Sequence, residues 1–368
     1  VISETLRRRL RRIFAADDRH SNANSLSEAV LNELLKNMLS LTNRESQPNT
    51  ARINELLRDL PAMRWNTKLF GYVLAKLLYE AGGDPVEAGT EPFELRWSAT
   101  KSSDFSQKWF RWGCDELKIA PVLHRKVWEL AYVLNCLKAA GKLSPGARGI
   151  GFGCGEEPLP SYLAARGISI LATDLAPERA QASGWMSTNQ HATDVARIHK
   201  KEFLPEAEFL SRVSLRYVDM NDIPADLEGS FDFCWSICAL EHLGSIERGL
   251  KFIERSLDVL KPGGIAIHTT EFNYSQDEQT IDNWGTVLFR KKDFGRLAQR
   301  LAAMGYRLPE ISYDVGGAAV DWFIDIPPYP WQPGYYDKDF SGLHLKLMVD
   351  GFPCTCFGMV IQKNRDGA

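Results

Sequence analysis

Gly151, Gly153 and Gly155 stand at alternate positions in the run Arg148-Gly-Ile-Gly-Phe-Gly-Cys-Gly-Glu-Glu-Pro-Leu, after a short apolar stretch and before a helix-forming one. Without a Cβ the backbone can turn sharply through positive φ, and a ligand or another segment can approach it closely. A glycine triplet alone is as compatible with a tight structural turn as with a ligand cradle, so the surrounding pattern decides.

That pattern is one of alternation. Apolar runs at 149–153, 168–173, 213–218, 231–236 and 265–270 are separated by helix-like or loop segments, which predicts βα units around a parallel sheet. Two further runs, 343–348 and 355–361, flank Val349-Asp350-Gly351-Phe352-Pro353 and predict a closing antiparallel hairpin. The first hundred residues read instead as helices. Leu6, Leu10, Ile13 and Phe14 share a face among Arg7, Arg8, Arg9, Arg11 and Arg12, a pattern that fits a docked helix with solvated charges. Segments 26–41, 51–60 and 68–81 follow, the last stopping at Gly82-Gly83-Asp84-Pro85, and 108–140 reads as helical again. The expected division is a helical region over 1–105 and an α/β domain over 106–368.

At 368 residues the chain has room for a catalytic core and an added module. A net charge of -3 argues against a nucleic-acid partner. Seven scattered cysteines without a CxxC pair read as reduced thiols, and no bound metal is expected. No apolar run approaches the roughly 20 residues that span a bilayer. The first residues are polar and arginine-rich, so the expected location is the cytoplasm. The sequence opens on Val1, and neighbouring domains in a longer chain are allowed for.

Asp174 closes the second apolar run about twenty residues beyond the glycines, where a carboxylate would meet ribose hydroxyls. Glu156 and Glu157 crowd the start of the following helix. Their charge would repel the pyrophosphate of a dinucleotide but suits a ligand carrying an ammonium and a sulfonium, such as S-adenosylmethionine (SAM). With Val218-Asp219-Met220, the run 231–236 leading into Ala239-Leu240-Glu241-His242, and Leu260-Lys261-Pro262-Gly263-Gly264, residues 148–270 resemble the class I SAM-dependent methyltransferases. The resemblance implies a Rossmann-like, seven-stranded, mostly parallel sheet. It also implies that Gly151, Gly153 and Gly155 face the methionine end of SAM, Asp174 and Leu175 the ribose, Asp219 and Met220 the adenine, and Ser236 to Cys238 the floor.

The chain departs from that family's pattern at Gly151, where an acidic residue is usual, and at Glu157, where a third glycine is usual. Glu156 or Glu157 is then an alternative partner for the amino group, and Arg125 for the carboxylate. Displacement at a sulfonium methyl by a hydroxyl needs a positioned base. His242 ranks first, followed by His191 and Glu271. Glu241, His242 and Glu271 partly resemble the metal site of small-RNA 3′-terminal 2′-O-methyltransferases, but Cys238 stands where that family has a glutamate. Phe272, Trp284, Trp322, Phe323, Tyr329, Trp331, Tyr335 and Tyr336, interspersed with acids, fit a sugar-binding cleft. The loose resemblance of this stretch is to glycan and polysaccharide biosynthesis enzymes, so O-methylation of a sugar or glycan hydroxyl is expected. The alternatives are an RNA-end or other small-molecule methyltransferase and a catalytically inactive scaffold of the same fold.

Overall fold

In the computed structural model the described residues are 41, 47–82, 93–177, 194–327, 329 and 343–364. The amphipathic segment around Leu6 to Phe14 and the run 26–40 lie outside them. The chain divides into two units, Val1–Asn66 and Thr67–Ala368. Helix α1 (Thr50–Leu57) begins at Asn49, whose side chain accepts from the Arg52 N–H at 3.2 Å. Helix α2 (Leu60–Ala81) stops at Gly82, at the expected break. Among the described residues no helix is long and apolar enough to cross a membrane.

The strands are β1 (Arg96–Ala99), β2 (Leu123–His124), β3 (Arg148–Phe152), β4 (Ser169–Asp174), β5 (Val213–Tyr217) and β6 (Phe231–Ile237). They continue with β7 (Leu260–Asn273), β8 (Glu310–Ser312), β9 (Ile324–Asp325), β10 (Leu343–His344), β11 (Lys346–Val349) and β12 (Phe352–Gln362). The main sheet runs β5-β4-β3-β6-β7-β12-β1-β8, with β11 and β9 attached beside β12. Strands β3 to β7 pair in parallel, and β12 runs antiparallel to both β7 and β1. Parallel strands covered on both faces are largely apolar, which is why β3, β4, β6 and β7 were legible as runs, whereas β5 at the sheet edge alternates apolar and polar residues. The closing hairpin turns through Asp350 and Gly351, whose φ values of 45° and 89° suit a two-residue connection.

Three features differ from the sequence expectation. The sheet has ten strands among the described residues rather than seven. Second, β1 lies inside the region read as helical: Trp97 is fully buried and its indole N–H donates to the Val360 carbonyl at 2.8 Å, so a strand of the main sheet precedes residue 106. Third, the stretch 108–140 is two helices, α3 (Lys108–Leu117) and α4 (Arg125–Ala139). Lys118 ends the first in the left-handed region at φ 54°, and Pro121 prevents continuation. Helices α5 (Leu159–Ala165), α6 (Glu206–Arg212), α7 (Ile246–Ser256) and α8 (Lys291–Ala303) complete the main elements. The C-terminal ends of β3, β4, β6 and β7 point to one rim, where open α/β sheets bind ligands.

Candidate active site

The glycine turn leaves β3 with Gly153 at φ 62° and Gly155 at φ 50°. It is pinned to β4. Asp174 accepts the Gly155 N–H on Oδ2 at 3.2 Å and the Leu175 N–H on Oδ1 at 2.8 Å, and Thr173 Oγ1 donates to the Gly151 carbonyl at 2.8 Å. A Cβ at Gly153 would lie 2.9 Å from the Ala239 side chain and 3.7 Å from the Met220 sulfur, so the turn is thin where those residues face it. Asp219 accepts the Asn221 N–H at 2.8 Å, which shapes the turn after β5. A side chain at 153 would therefore collide with Ala239, and the turn stays thin beside Asp174 and Met220.

The two glutamates after the turn diverge. Glu156 pairs with Arg197 at 2.6 Å, and both side chains are partly exposed. Glu157 turns toward β6, where its Oε2 accepts the indole N–H of Trp235 at 3.2 Å. Burial pushes the Glu157 carboxyl up to about 8, offset in part by the Trp235 hydrogen bond and by Lys126. The indole also explains Gly151, where a Cβ would lie 2.4 Å from Trp235 and 2.3 Å from the Cys154 sulfur.

Across from the turn, the start of α4 delivers a buried charge network. Arg125 Nη1 stands 2.5 Å from Glu271 Oε1 on β7 and also donates toward the sulfurs of Cys238 and Cys356, at 3.6 and 3.3 Å. Glu129 receives the thiols of Cys238 and Cys356 at 2.8 and 2.9 Å and the Thr269 hydroxyl at 2.5 Å. Although burial opposes its charge, Lys126 and Arg125 hold Glu129 down at about 2. Glu271 is raised by burial, with Arg125 opposing. Two sets of ligand atoms, Glu129–Cys238–Cys356 and Cys238–Glu241–Glu271, lie close enough to share a metal ion. The Arg125 guanidinium sits among them, and its positive charge disfavours a dication there.

His242 follows β6 on the rim. Its Nδ1 is 3.1 Å from the Gly285 carbonyl and 3.1 Å from the Thr286 hydroxyl, and Nε2 is 3.9 Å from Glu241 Oε1. Burial pulls His242 down to about 4, so the ring is neutral, and the Gly285 acceptor favours a proton on Nδ1. Glu241 is raised to about 7 by burial and accepts the Thr270 hydroxyl at 3.0 Å. Cys238 adopts φ 45° and donates its N–H to the Thr269 carbonyl at 3.0 Å, a strained bend at the end of β6.

Some expected residues are placed elsewhere. The Ser236 side chain points into the core, 2.8 Å from His268 Nδ1, whose Nε2 is 2.9 Å from Ser256; only its backbone remains for a floor. His191 lies outside the described residues, as do Trp331, Tyr335 and Tyr336. Phe272 packs edge-on or tilted against Phe294, Tyr313 and Phe357 in the core, and Tyr329 is buried, while Trp284 and Trp322 are exposed. The structure also assembles a group that no motif announced. Asp325 Oδ2 is 2.7 Å from His344 Nδ1, Lys68 Nζ is 2.8 Å from Asp325 Oδ1, and His344 lies beside His124 with ring centroids 4.9 Å apart. These residues come from α2, β2, β9 and β10, and no local spacing links them.

Residues 129–307 match the family model described as a methyltransferase domain. The chain is 30% identical over 132 residues to a ubiquinone biosynthesis O-methyltransferase of Xanthomonas campestris pv. campestris, which covers 36% of this chain and 46% of the relative. A protein of the same name from Xanthomonas axonopodis pv. citri is 28% identical over 174 residues, covering 45% and 61%. The chain thus spans about half the length of the curated relatives it matches. Among solved structures, a SAM-dependent methyltransferase from Mesorhizobium loti aligns at 15% identity with a TM-score of 0.36, covering 62% of this chain and 96% of that one.

Proposed function

We propose, from the premise that this chain belongs to the class I SAM-dependent methyltransferases, that it methylates a hydroxyl of a small acceptor. The observation that carries the reading is the thin glycine turn pinned by Asp174, with a neutral histidine on the same rim. When bound, SAM supplies an electrophilic methyl on a sulfonium. Asp174 would receive the ribose, Met220 would lie against the adenine and the backbone around Cys238 would form the floor. His242 Nε2 would take the proton of the attacking hydroxyl, the Gly285 carbonyl holding the ring in the required tautomer. The cofactor would supply the methyl group and keep the carbon–sulfur electron pair, and His242 would release to solvent the proton taken from the hydroxyl.

The name of the Xanthomonas relatives favours a phenolic hydroxyl on a ring. A sugar or glycan hydroxyl is the second reading, and exposed Trp284, next to the glycine that holds His242, favours it as a stacking platform. Isothermal titration with SAM and S-adenosylhomocysteine tests the cofactor; micromolar binding that Asp174→Ala abolishes is expected. Transfer of labelled methyl to 3,4-dihydroxybenzoate, nucleotide sugars or oligosaccharides then separates the two acceptors, and His242→Asn should lower kcat about 10²- to 10⁴-fold. A folded chain that binds neither compound would sink the enzyme reading and leave the scaffold one.

A further inference from the structure

We infer that Glu157 receives the ammonium group of the cofactor's methionine end, in place of a carboxylate at the end of β3, with Trp235 as the residue that forces and fixes the exchange. The inference rests on the cofactor reading above. Three observations carry it.

First, position 151 cannot supply the acid. Any side chain there would collide with the Trp235 indole and the Cys154 sulfur, at 2.4 and 2.3 Å for the Cβ alone. The indole occupies the volume that a strand-end carboxylate would need. Second, that indole must satisfy its own N–H in a partly buried site, and it does so on Glu157 Oε2. The tryptophan that excludes one carboxylate therefore orients another, five residues after the strand has ended.

Third, the other carboxylates near the turn are engaged. Asp174 holds the Gly155 and Leu175 N–H groups, Glu156 pairs outward with Arg197, Glu129 binds two thiols and a hydroxyl, and Glu271 faces Arg125. The Glu157 side chain has, among the described residues, the single hydrogen bond from Trp235. The charges that act on it are Lys126 and Glu129 from α4 and Asp174 from β4, so it stands between the turn and the helix opposite. The raised Glu157 carboxyl fits this arrangement, since a neighbouring ammonium would favour its ionised form.

Calorimetric titration of the full chain and of Glu157→Gln with three compounds tests the assignment. S-adenosylhomocysteine carries both ammonium and carboxylate, its decarboxylated analogue only the ammonium, and 5′-methylthioadenosine neither. Loss of one charge-assisted contact should weaken the first two by about ten- to a hundredfold in Glu157→Gln and leave methylthioadenosine within about twofold. In the wild type, affinity for S-adenosylhomocysteine should also rise with pH up to about 8, a dependence that Glu157→Gln loses. Equal weakening of all three compounds would mean that Glu157 only shapes the pocket, and unchanged affinities would mean that another group meets the ammonium; either overturns the assignment while the cofactor reading survives. Failure of the wild type to bind any of the three would overturn both.

Discussion

The glycine-turn side of the site and the α4 side meet at one rim, yet they are built in opposite ways. The turn side is local: Gly151 to Glu157, Asp174 and Met220 come from consecutive βα units, and backbone N–H groups satisfy much of the polar chemistry. The α4 side draws Arg125 and Glu129 from a helix, Cys238 from the end of β6, Thr269 and Glu271 from β7 and Cys356 from β12, joined only by side-chain contacts. On the proposed function, charge on the first side meets a ligand. On the second it is neutralised within the protein, so damage there should appear first as lost stability.

The largest effect expected from that contrast is at Arg125. Its side chain is 13% exposed and that of Glu271 is 7%, so Arg125→Ala would leave buried acids without their cation. Breaking such a pair costs about 3–5 kcal/mol, whereas replacing both partners is often nearly neutral. Chemical denaturation should therefore show a large loss for Arg125→Ala and recovery of at least half of it in Arg125→Met/Glu271→Gln. Asp174→Asn should instead keep most of the stability and lose cofactor affinity. If Arg125→Ala is as stable as wild type, the network is not the structural joint described here.

Legibility in the sequence followed the same line. The inner parallel strands were readable because they are largely apolar runs, and the turn side because its glycines and acids are close in sequence. β7 was read only over 265–270, because Thr269, Thr270 and Glu271 end the apolar pattern while the strand continues to Asn273. Arg125, His242 and Glu271 could be singled out, but their partners could not: Glu129 looks like any helix glutamate until three strands bring Cys238, Thr269 and Cys356 to it. The Asp325–His344–Lys68 group was invisible because its members are separated by up to most of the domain.

A smaller effect, several degrees of melting temperature, should follow pH and divide between the two sides. Glu157 and Glu241 titrate near 8 and 7 in the fold against 4.5 for a free glutamate, so the folded chain holds their protons more tightly. That contribution is full below pH 4.5 and is lost as pH rises through 7 to 8. His242 and His268 are depressed by burial to about 4 and 3 from 6.5; their contribution is full above pH 6.5 and is lost as pH falls through 4 to 3. Melting temperature should thus form a plateau between about pH 5 and 6.5, falling by on the order of 5 °C by pH 8. Glu157→Gln should remove about half of the alkaline decline in the ligand-free protein, and a decline of unchanged depth would place the titrating group elsewhere.

The smallest effect separates neighbours within the turn side itself. Glu156 and Glu157 adjoin in sequence and carry the same charge, yet one side chain pairs with Arg197 where 30% of it reaches solvent and the other accepts the Trp235 indole. An exposed ion pair of this kind is worth ~0–1 kcal/mol. Glu156→Gln should therefore shift stability by less than about 1 kcal/mol and leave S-adenosylhomocysteine affinity within about twofold, as read by denaturation and calorimetry. A tenfold loss of affinity in Glu156→Gln would mean that long-range charge at the helix start, rather than a directed carboxylate, selects a cationic ligand. It would move the distinction between a pyrophosphate and a sulfonium cofactor from the geometry of one side chain to the field of the whole turn.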